Sequence, residues 1–174
     1  MRRVLACLMV FLVSVSFAQV KPGGSVTALI SSQHALVMGF GGGFTYFVNR
    51  YFGGGVDLTI GMKRYEFNRD FSTFAIDGYF APRVEFDRGR IFPIVGITVY
   101  SLKEEVKTGS TTDKYNYGAS IGSVFGLGVE VHFRKQIVFG TKIKNRMVTS
   151  TLEGEEVEVP IGGTEIGFMV GLLF

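Results

Sequence analysis

The chain has 174 residues, which is enough for one domain and too few for two ordinary ones. Its formal charge is +3, but Arg2 and Arg3 supply two of those charges, so the remainder is nearly neutral and no nucleic-acid partner is expected. The single cysteine is Cys7, which leaves residues 19 to 174 without a disulfide, a thiolate metal ligand or a cysteine nucleophile. No cofactor or metal is expected.

The first 18 residues have the features of a secretory signal peptide. They open with the positively charged Met1-Arg2-Arg3, continue with a nearly wholly apolar stretch, and end in Ser16-Phe17-Ala18, with small residues at the −3 and −1 positions of a cut. The apolar stretch is too short to span a membrane as a helix. We predict a signal peptide over 1–18 and a single domain over 19–174.

The rest of the chain alternates between two kinds of residue. There are 24 glycines, 17 phenylalanines and seven tyrosines but no tryptophan, and the apolar residues are spaced by two, which indicates strands. One set of alternate positions is large and apolar, and the other is small, polar or charged, so each strand has one face suited to lipid and one suited to a filled interior. In chain order, eight such segments cover residues 25–32, 36–46, 52–63, 74–86, 91–102, 117–133, 137–147 and 166–174.

The fifth segment is apolar on both faces, so its orientation has to be chosen. We assign Val95, Ile97 and Val99 to the outer face and Gly96 and Thr98 to the inner face. Aromatic residues lie near the segment ends, as in the interface belts of membrane barrels. The belt predicted at the end away from the C-terminus contains Tyr65, Phe71, Phe74, Tyr115 and Tyr117.

The connections alternate between short and long. Short ones are expected near residues 49–50, 87–90 and 134–136, and longer ones near 68–70, 103–114 and 150–158. An up-and-down barrel whose two termini lie at the same end has this order, because the short turns lie at that end and the long loops lie at the opposite end.

The charged residues of the inner face balance one another, which suits mutual pairing inside a narrow barrel. They are Asp57, Asp77, Glu85, Glu130 and Glu165 against Lys63, Arg83, Lys142, Lys144 and Arg146. We expect the bases at 142, 144 and 146 to pair with Glu130 and Glu165 on neighbouring strands. The alternative is a basic lining that favours anions in a pore, for which eight strands leave little room.

The last strand has a large apolar residue at every second position. The set is Ile166, Phe168, Val170, Leu172 and Phe174. It resembles the signal that the barrel-assembly machinery reads. Together with the signal peptide and the glycine-rich segment 39–52, it makes the sequence similar to the small eight-stranded outer-membrane barrels, the group that includes the membrane domain of OmpA and the OmpX-like proteins. The resemblance implies export, outer-membrane lipid as surroundings, and the assembly machinery as a partner.

We therefore predict an all-β fold, an eight-stranded antiparallel up-and-down transmembrane β-barrel, with a structural or interfacial role in the outer membrane and a largely plugged polar lumen. A narrow pore or a conduit for small solutes or small apolar molecules is the first alternative. A secreted, soluble lipocalin-like carrier is the second, although eleven phenylalanines would overpack its interior. No enzymatic activity is expected, because His34 and His132 are not set in an oriented catalytic group.

Overall fold

The fold, taken from a computed structural model, is described for residues 23–32, 38–49, 51–65, 69–133, 136–152 and 158–174, without the side chains of residues 32 and 63–65. The predicted signal peptide and His34 lie outside these ranges. Within them, no helix is long and apolar enough to cross a membrane.

Eleven strands form in the described ranges. They are β1 Gly23–Ser32, β2 Met38–Phe47, β3 Gly53–Tyr65, β4 Arg69–Phe80, β5 Val84–Phe86, β6 Gly89–Thr108, β7 Thr111–Phe133, β8 Ile137–Met147, β9 Thr149–Thr151, β10 Glu158–Pro160 and β11 Gly163–Leu173.

Eight of these strands close into a barrel. The order around the ring is β1, β2, β3, β4, β6, β7, β8 and β11, and every neighbouring pair is antiparallel. The ring closes between the first and last strands, from the pair Ser25 and Leu173 to the pair Ser32 and Ile166. The predicted fold class is therefore confirmed. Below, the end that holds residues 23 and 174 is the termini end, and the opposite end is the loop end.

Alternation along the strands separates an apolar outside from a polar inside, as the pattern predicts. The ambiguous fifth segment, now β6, also follows the assignment made above: Ile97 is 66% exposed, whereas Thr98 is fully buried. The barrel is narrow enough for the backbones to need glycine at close approaches. A Cβ atom on Gly41 would lie 1.9 Å from the main-chain oxygen of Leu58 on the next strand.

The loop end differs from the prediction in two places. Residues 103–114 are not a loop, because β6 and β7 continue through them and turn at Gly109, whose φ is +63°. A register shift between Tyr100 and Leu102 adds a residue on the β7 side. Such a bulge reverses the alternation beyond it, so Tyr117 packs with the interior residues and does not join a lipid-facing belt. In the expected last loop, β9 and β10 pair as a short ribbon.

Candidate functional site: the charged lumen

Among the side chains that the structure describes, nine charged ones lie inside the barrel, each at most 3% exposed. They are Asp57, Asp77, Arg83, Arg90, Glu130, Lys142, Lys144, Arg146 and Glu165. Eight of the nine were expected on the inner face. Eight of the nine lie at inward-facing positions of their strands, as alternation requires, and Arg83 lies between β4 and β5. The side chain of Lys63 is not among those described.

Six of these residues form what we call the central network: Asp57, Asp77, Glu165, Lys142, Lys144 and Arg146. Lys144 is its hub. The Nζ atom of Lys144 lies 3.2 Å from Asp57 Oδ2, 2.6 Å from Asp77 Oδ2 and 3.0 Å from Glu165 Oε1. One ammonium group thus contacts three carboxylates from three strands, and with three acids and three bases the network is neutral.

Arg146 adds a bidentate contact to the same network. Its Nε atom donates to Asp77 Oδ1 at 2.8 Å, its Nη2 atom to Asp77 Oδ2 at 2.6 Å, and its Nη1 atom to Glu165 Oε2 at 2.9 Å. Paired guanidinium and carboxylate groups of this kind fix orientation as well as contributing energy. The geometry therefore holds β8, β4 and β11 at a defined mutual position.

Lys142 links the network to a tyrosine. Its Nζ atom donates to Asp57 Oδ1 and to the hydroxyl of Tyr79, each at 2.7 Å. The same hydroxyl lies 3.0 Å from Thr45 Oγ1. Because β3 and β8 are four strands apart in either direction around the ring, the contact between Asp57 and Lys142 crosses the whole lumen.

A second group of charges lies nearer the termini end. Arg90 forms an ion pair with Glu130, and Ser25 Oγ accepts from Arg90 Nη2 at 3.1 Å and donates to Glu130 Oε1 at 3.3 Å. The ring of Phe47 lies between two guanidinium groups, with the Cζ atoms of Arg83 and Arg90 at 4.7 and 4.4 Å from its centroid. Buried cation–π contacts of this kind add to the stability of the group.

The pairing differs from the expectation at one residue. Glu165 contacts bases of β8, as expected, but Glu130 does not, because Arg90 stands directly opposite it in the register of β6 and β7. Sequence reasoning placed Arg90 in a turn. Continuing the inner-face alternation of β6, which contains Thr98, to one residue before the predicted segment start at 91 would have found it. Glu85 lies at the rim, 3.1 Å from Arg83.

Apolar side chains lie above and below the central network. On the termini side a buried cluster contains Phe47, Tyr79, Ala81, Phe92, Ile94 and Val124. On the loop side, Leu102 and Tyr117 pack against buried Ala75, Tyr100, Val148 and Ile161. Among the described residues, no group of three or more His, Cys, Asp or Glu side chains is arranged to hold a metal ion. The arrangement suits mutual neutralisation of charge more than acid–base chemistry.

Four residues of the expected assembly signal lie on the outer face of β11, and the fifth, Phe174, directly follows that strand. Ile166, Phe168, Val170, Leu172 and Phe174 are all exposed large hydrophobic residues. The ring of Phe174 stacks with those of Phe44 and Tyr46 at centroid distances of 5.9 and 6.4 Å. Its main-chain oxygen accepts from the Gly24 amide at 3.0 Å, so the last residue joins the two ends of the sheet.

Several solved structures share this fold. The outer membrane protein OprG from Pseudomonas aeruginosa superposes with a TM-score of 0.62 at 9% identity, covering 90% of this chain and 97% of that one. The Neisserial surface protein A superposes with a TM-score of 0.55 at 15% identity, covering 88% of this chain and 96% of that one. The N-terminal β-barrel domain of Pseudomonas aeruginosa OprF superposes with a TM-score of 0.54 at 12% identity, covering 88% of this chain and 98% of that one. The fold is that of the small eight-stranded outer-membrane barrels. No family model and no curated protein matches the sequence. At these identities the likeness concerns the fold alone.

Proposed function

We propose that the chain is an integral outer-membrane β-barrel that is exported by its signal peptide, inserted by the barrel-assembly machinery and closed by the side chains of its lumen. Its role in this proposal is structural or interfacial, with no enzymatic activity. The observation that carries the proposal is the reversal of polarity: charges are buried inside the barrel and large apolar side chains cover the outside. A protein folded in water has no means of stabilising so extensive an apolar surface.

The height of the apolar surface supports insertion. On β11 the outward apolar residues run from Ile166 to Phe174, and on β8 the outer face runs from Ile137 to Met147. Eight residue steps on β11 and ten on β8, along strands tilted by about 40° from the barrel axis, span heights of about 21 and 26 Å along that axis. This agrees with the apolar band of about 25 Å that outer-membrane barrels present to lipid.

The orientation follows from the connections and the ends. Outer-membrane barrels carry their termini and short turns on the periplasmic side. We therefore assign the termini end to the periplasm and the loop end, with the hairpin of β6 and β7, to the outside. Outward-facing aromatic side chains gather at the termini end, where Phe44, Tyr46 and Phe174 stack, and Phe133 and Phe139 pack edge to face. These positions suit a membrane interface.

The closed lumen is inferred from the cross-lumen contacts. Lys142 and Lys144 reach carboxylates on the facing strands, and apolar clusters fill the space on both sides of them. Water or ions would have to displace buried ion pairs to pass. A narrow pore is the competing function, and the same contacts argue against it.

The first experiment is heat modifiability. The full-length mature chain, folded in detergent, is run on SDS gels with and without boiling, beside its circular dichroism spectrum. A closed membrane barrel gives a faster unboiled band and a strong β signal. A protein that is soluble and monomeric without detergent would overturn the proposal and favour the lipocalin-like carrier.

Conductance then separates the closed barrel from the pore. In planar bilayers, the wild-type protein is expected to give no stable channels. The variant Lys144→Glu replaces the hub of the central network by a fourth carboxylate, so it is expected to open the lumen at least transiently. Stable wild-type channels whose ion selectivity changes in Lys144→Glu would instead establish the pore.

A further inference from the structure

A groove crosses the outer face of the barrel near the loop end, where β8 lies between β7 and the last two strands. The ladder between β7 and β8 ends at this place, so the wall is uneven there. The groove has a volume of about 420 Å³, and its lining includes Ile121 of β7, Asn145 and Met147 of β8, Pro160 of β10, and Gly162 and Gly163 at the start of β11.

Asn145 is a polar residue on the lipid-facing side of this wall. Its side chain is exposed and lies between the outward-facing Ile143 and Met147. No other residue that the structure describes forms a hydrogen bond with its side-chain amide. Asn145 is two residues from Met147, which sets it about 5 Å inside the apolar band of β8. Acyl chains offer an amide no hydrogen-bond partner, and an unpaired amide in hydrocarbon is costly, so a partner from outside the chain is needed.

The two edges of the groove differ in shape. Ile121 projects at one edge and is 77% exposed, more than any other large apolar side chain that the structure describes. The opposite edge is lined by Gly162 and Gly163, which have no side chains to fill it. One edge is therefore raised and the other is hollow, and Asn145 lies on the strand between them.

The tilt of the strands decides which residues lie at equal height. The row of paired residues through Ser31 reaches β7 at Gly128 by way of β11 and β8. By way of β2, β3, β4 and β6 it reaches β7 at Tyr117, much nearer the loop end. Rows of paired residues therefore climb toward the loop end in the order β1, β2 and onward. With strands about 4.8 Å apart and tilted by about 40°, a level line falls behind such a row by about one residue at each strand.

The raised edge and the hollow edge lie at the same height. Continuing the ladder of β7 and β8 takes Ile121 to Thr149, which pairs with Pro160 of β10. A level line from Ile121 meets this strand two or three residues nearer the termini end. Those residues are Gly162 and Gly163.

This arrangement is self-complementary under a two-fold axis along the membrane normal. Such an axis keeps heights equal and exchanges the two sides of β8. When it passes over Asn145, Ile121 of one copy meets Gly162 and Gly163 of the other. The two Asn145 amides meet at the axis, and each amide both donates and accepts hydrogen bonds. Close packing at small residues and hydrogen bonds between Asn side chains also hold membrane helices together in lipid.

The charges above the groove agree with the same pairing of copies. Tyr117 packs inside the barrel, so Lys114, three residues away on β7, lies on the outer face, where it is 70% exposed. Glu158 is exposed on β10 and shares the outward face of Pro160. The axis sets β7 of one copy beside β10 of the other. The side that carries the base thus faces the side that carries the acid, which favours this orientation of the two copies.

We infer that two copies of the chain associate through this groove in the membrane, with Ile121 of each copy in the groove of the other and the two Asn145 amides paired. The inference rests on the proposed function, which sets the outer face in lipid. It gives the interfacial role a definite partner, a second copy of the same chain.

The test is energy transfer between labelled copies in lipid vesicles. Residues 19–174 contain no cysteine, so Arg88→Cys, in an exposed turn at the termini end, carries either the donor or the acceptor dye. With no other change, the labelled chain is expected to follow a monomer–dimer equilibrium as lipid is added. Asn145→Leu and Ile121→Ala are each expected to weaken association at least about fivefold.

Thr141→Leu is the matched control, because Thr141 lies on the same face of β8, four residues from Asn145 and outside the groove. It is expected to associate like the parent chain. Disulfide formation gives a second measurement at low lipid content, where even a weakened dimer is populated. Asn145→Cys is expected to cross-link two copies under mild oxidation. Thr141→Cys is not, since the tilt of β8 carries residue 141 away from the axis on both copies.

The inference is overturned if the chain is monomeric at every lipid content, or if Asn145→Leu associates as well as Thr141→Leu. It is also overturned if native mass spectrometry finds a monomer whose bound lipid is lost in Asn145→Leu, because the groove is then a lipid site. Heat modifiability of each variant is measured in parallel. A chain that is soluble and not heat-modifiable would contradict the proposed function itself, which makes the two failures distinguishable.

Discussion

Replacement of Lys144 tests the central network most directly. The variant Lys144→Met keeps the length of the side chain and removes its charge, so Asp57, Asp77 and Glu165 then face only Lys142 and Arg146. One buried negative charge is left unpaired. Breaking a buried pair in this way costs about 3 to 5 kcal/mol, and the three short contacts of Lys144 place it at the upper part of that range.

The assay is urea unfolding of the barrel in lipid vesicles, followed by the heat-modifiable gel band. With an m-value of about 2 kcal/mol/M, a loss of about 4 to 5 kcal/mol lowers the unfolding midpoint by about 2 to 2.5 M. Lys103→Met is the matched control, because Lys103 is exposed on β6 near the loop end, and its effect is expected to stay within about 0.5 kcal/mol.

A double variant checks the cause of the loss. Adding Asp77→Asn to Lys144→Met restores neutrality, so the combined loss is expected to be smaller than the sum of the single losses by at least about 1 kcal/mol. If Lys144→Met alone lowers stability by less than about 1 kcal/mol, or if the two losses simply add, the network does not hold the barrel together.

Three further predictions concern the lumen, the wall and the C-terminal strand. Phe47→Ala removes a fully buried ring and is expected to lower the free energy of unfolding in urea by about 3 to 5 kcal/mol. Phe168 is 67% exposed on the outer face, so Phe168→Ala is expected to cost clearly less. Equal losses would contradict the assignment of faces. Gly41→Ala forces a Cβ against main-chain atoms, whereas Gly78→Ala meets nothing within 4 Å, so only the first is expected to lower the unfolding midpoint. Phe174→Ala is expected to reduce the amount of barrel found in the outer membrane of cells while refolding in detergent persists; unchanged membrane yield would remove its proposed role in assembly.

The sequence is sufficient to predict the architecture because a two-residue period is a local property. Each strand shows its two faces without reference to the others, so the inward positions of Asp57 and Glu130 follow from their own segments. The order around the ring follows as well, since hairpins connect neighbours. The resemblance carried by the C-terminal strand agrees with the solved structures in fold.

The partners inside the lumen are harder to predict. Which base meets Asp57 depends on the stagger between strands that are far apart in sequence, and a pattern within one strand does not contain that stagger. The bulge near Tyr100 is a second case, because one extra residue on β7 moves Tyr117 from the outer face to the inner one. Arg90 was missed because its strand begins within the expected turn.

The contact between Lys142 and Asp57 joins residues 85 positions apart in sequence. Neither can find the other while the sheet is open, since they come together only when β1 and β11 meet. Until that moment each charge needs water, so an inserting barrel has to carry hydrated charges into the membrane on its inner face. Expulsion of that water and formation of the network therefore belong to the last step of folding. Mutations in the network should slow the final closure of the barrel, while those in the local hairpins act earlier.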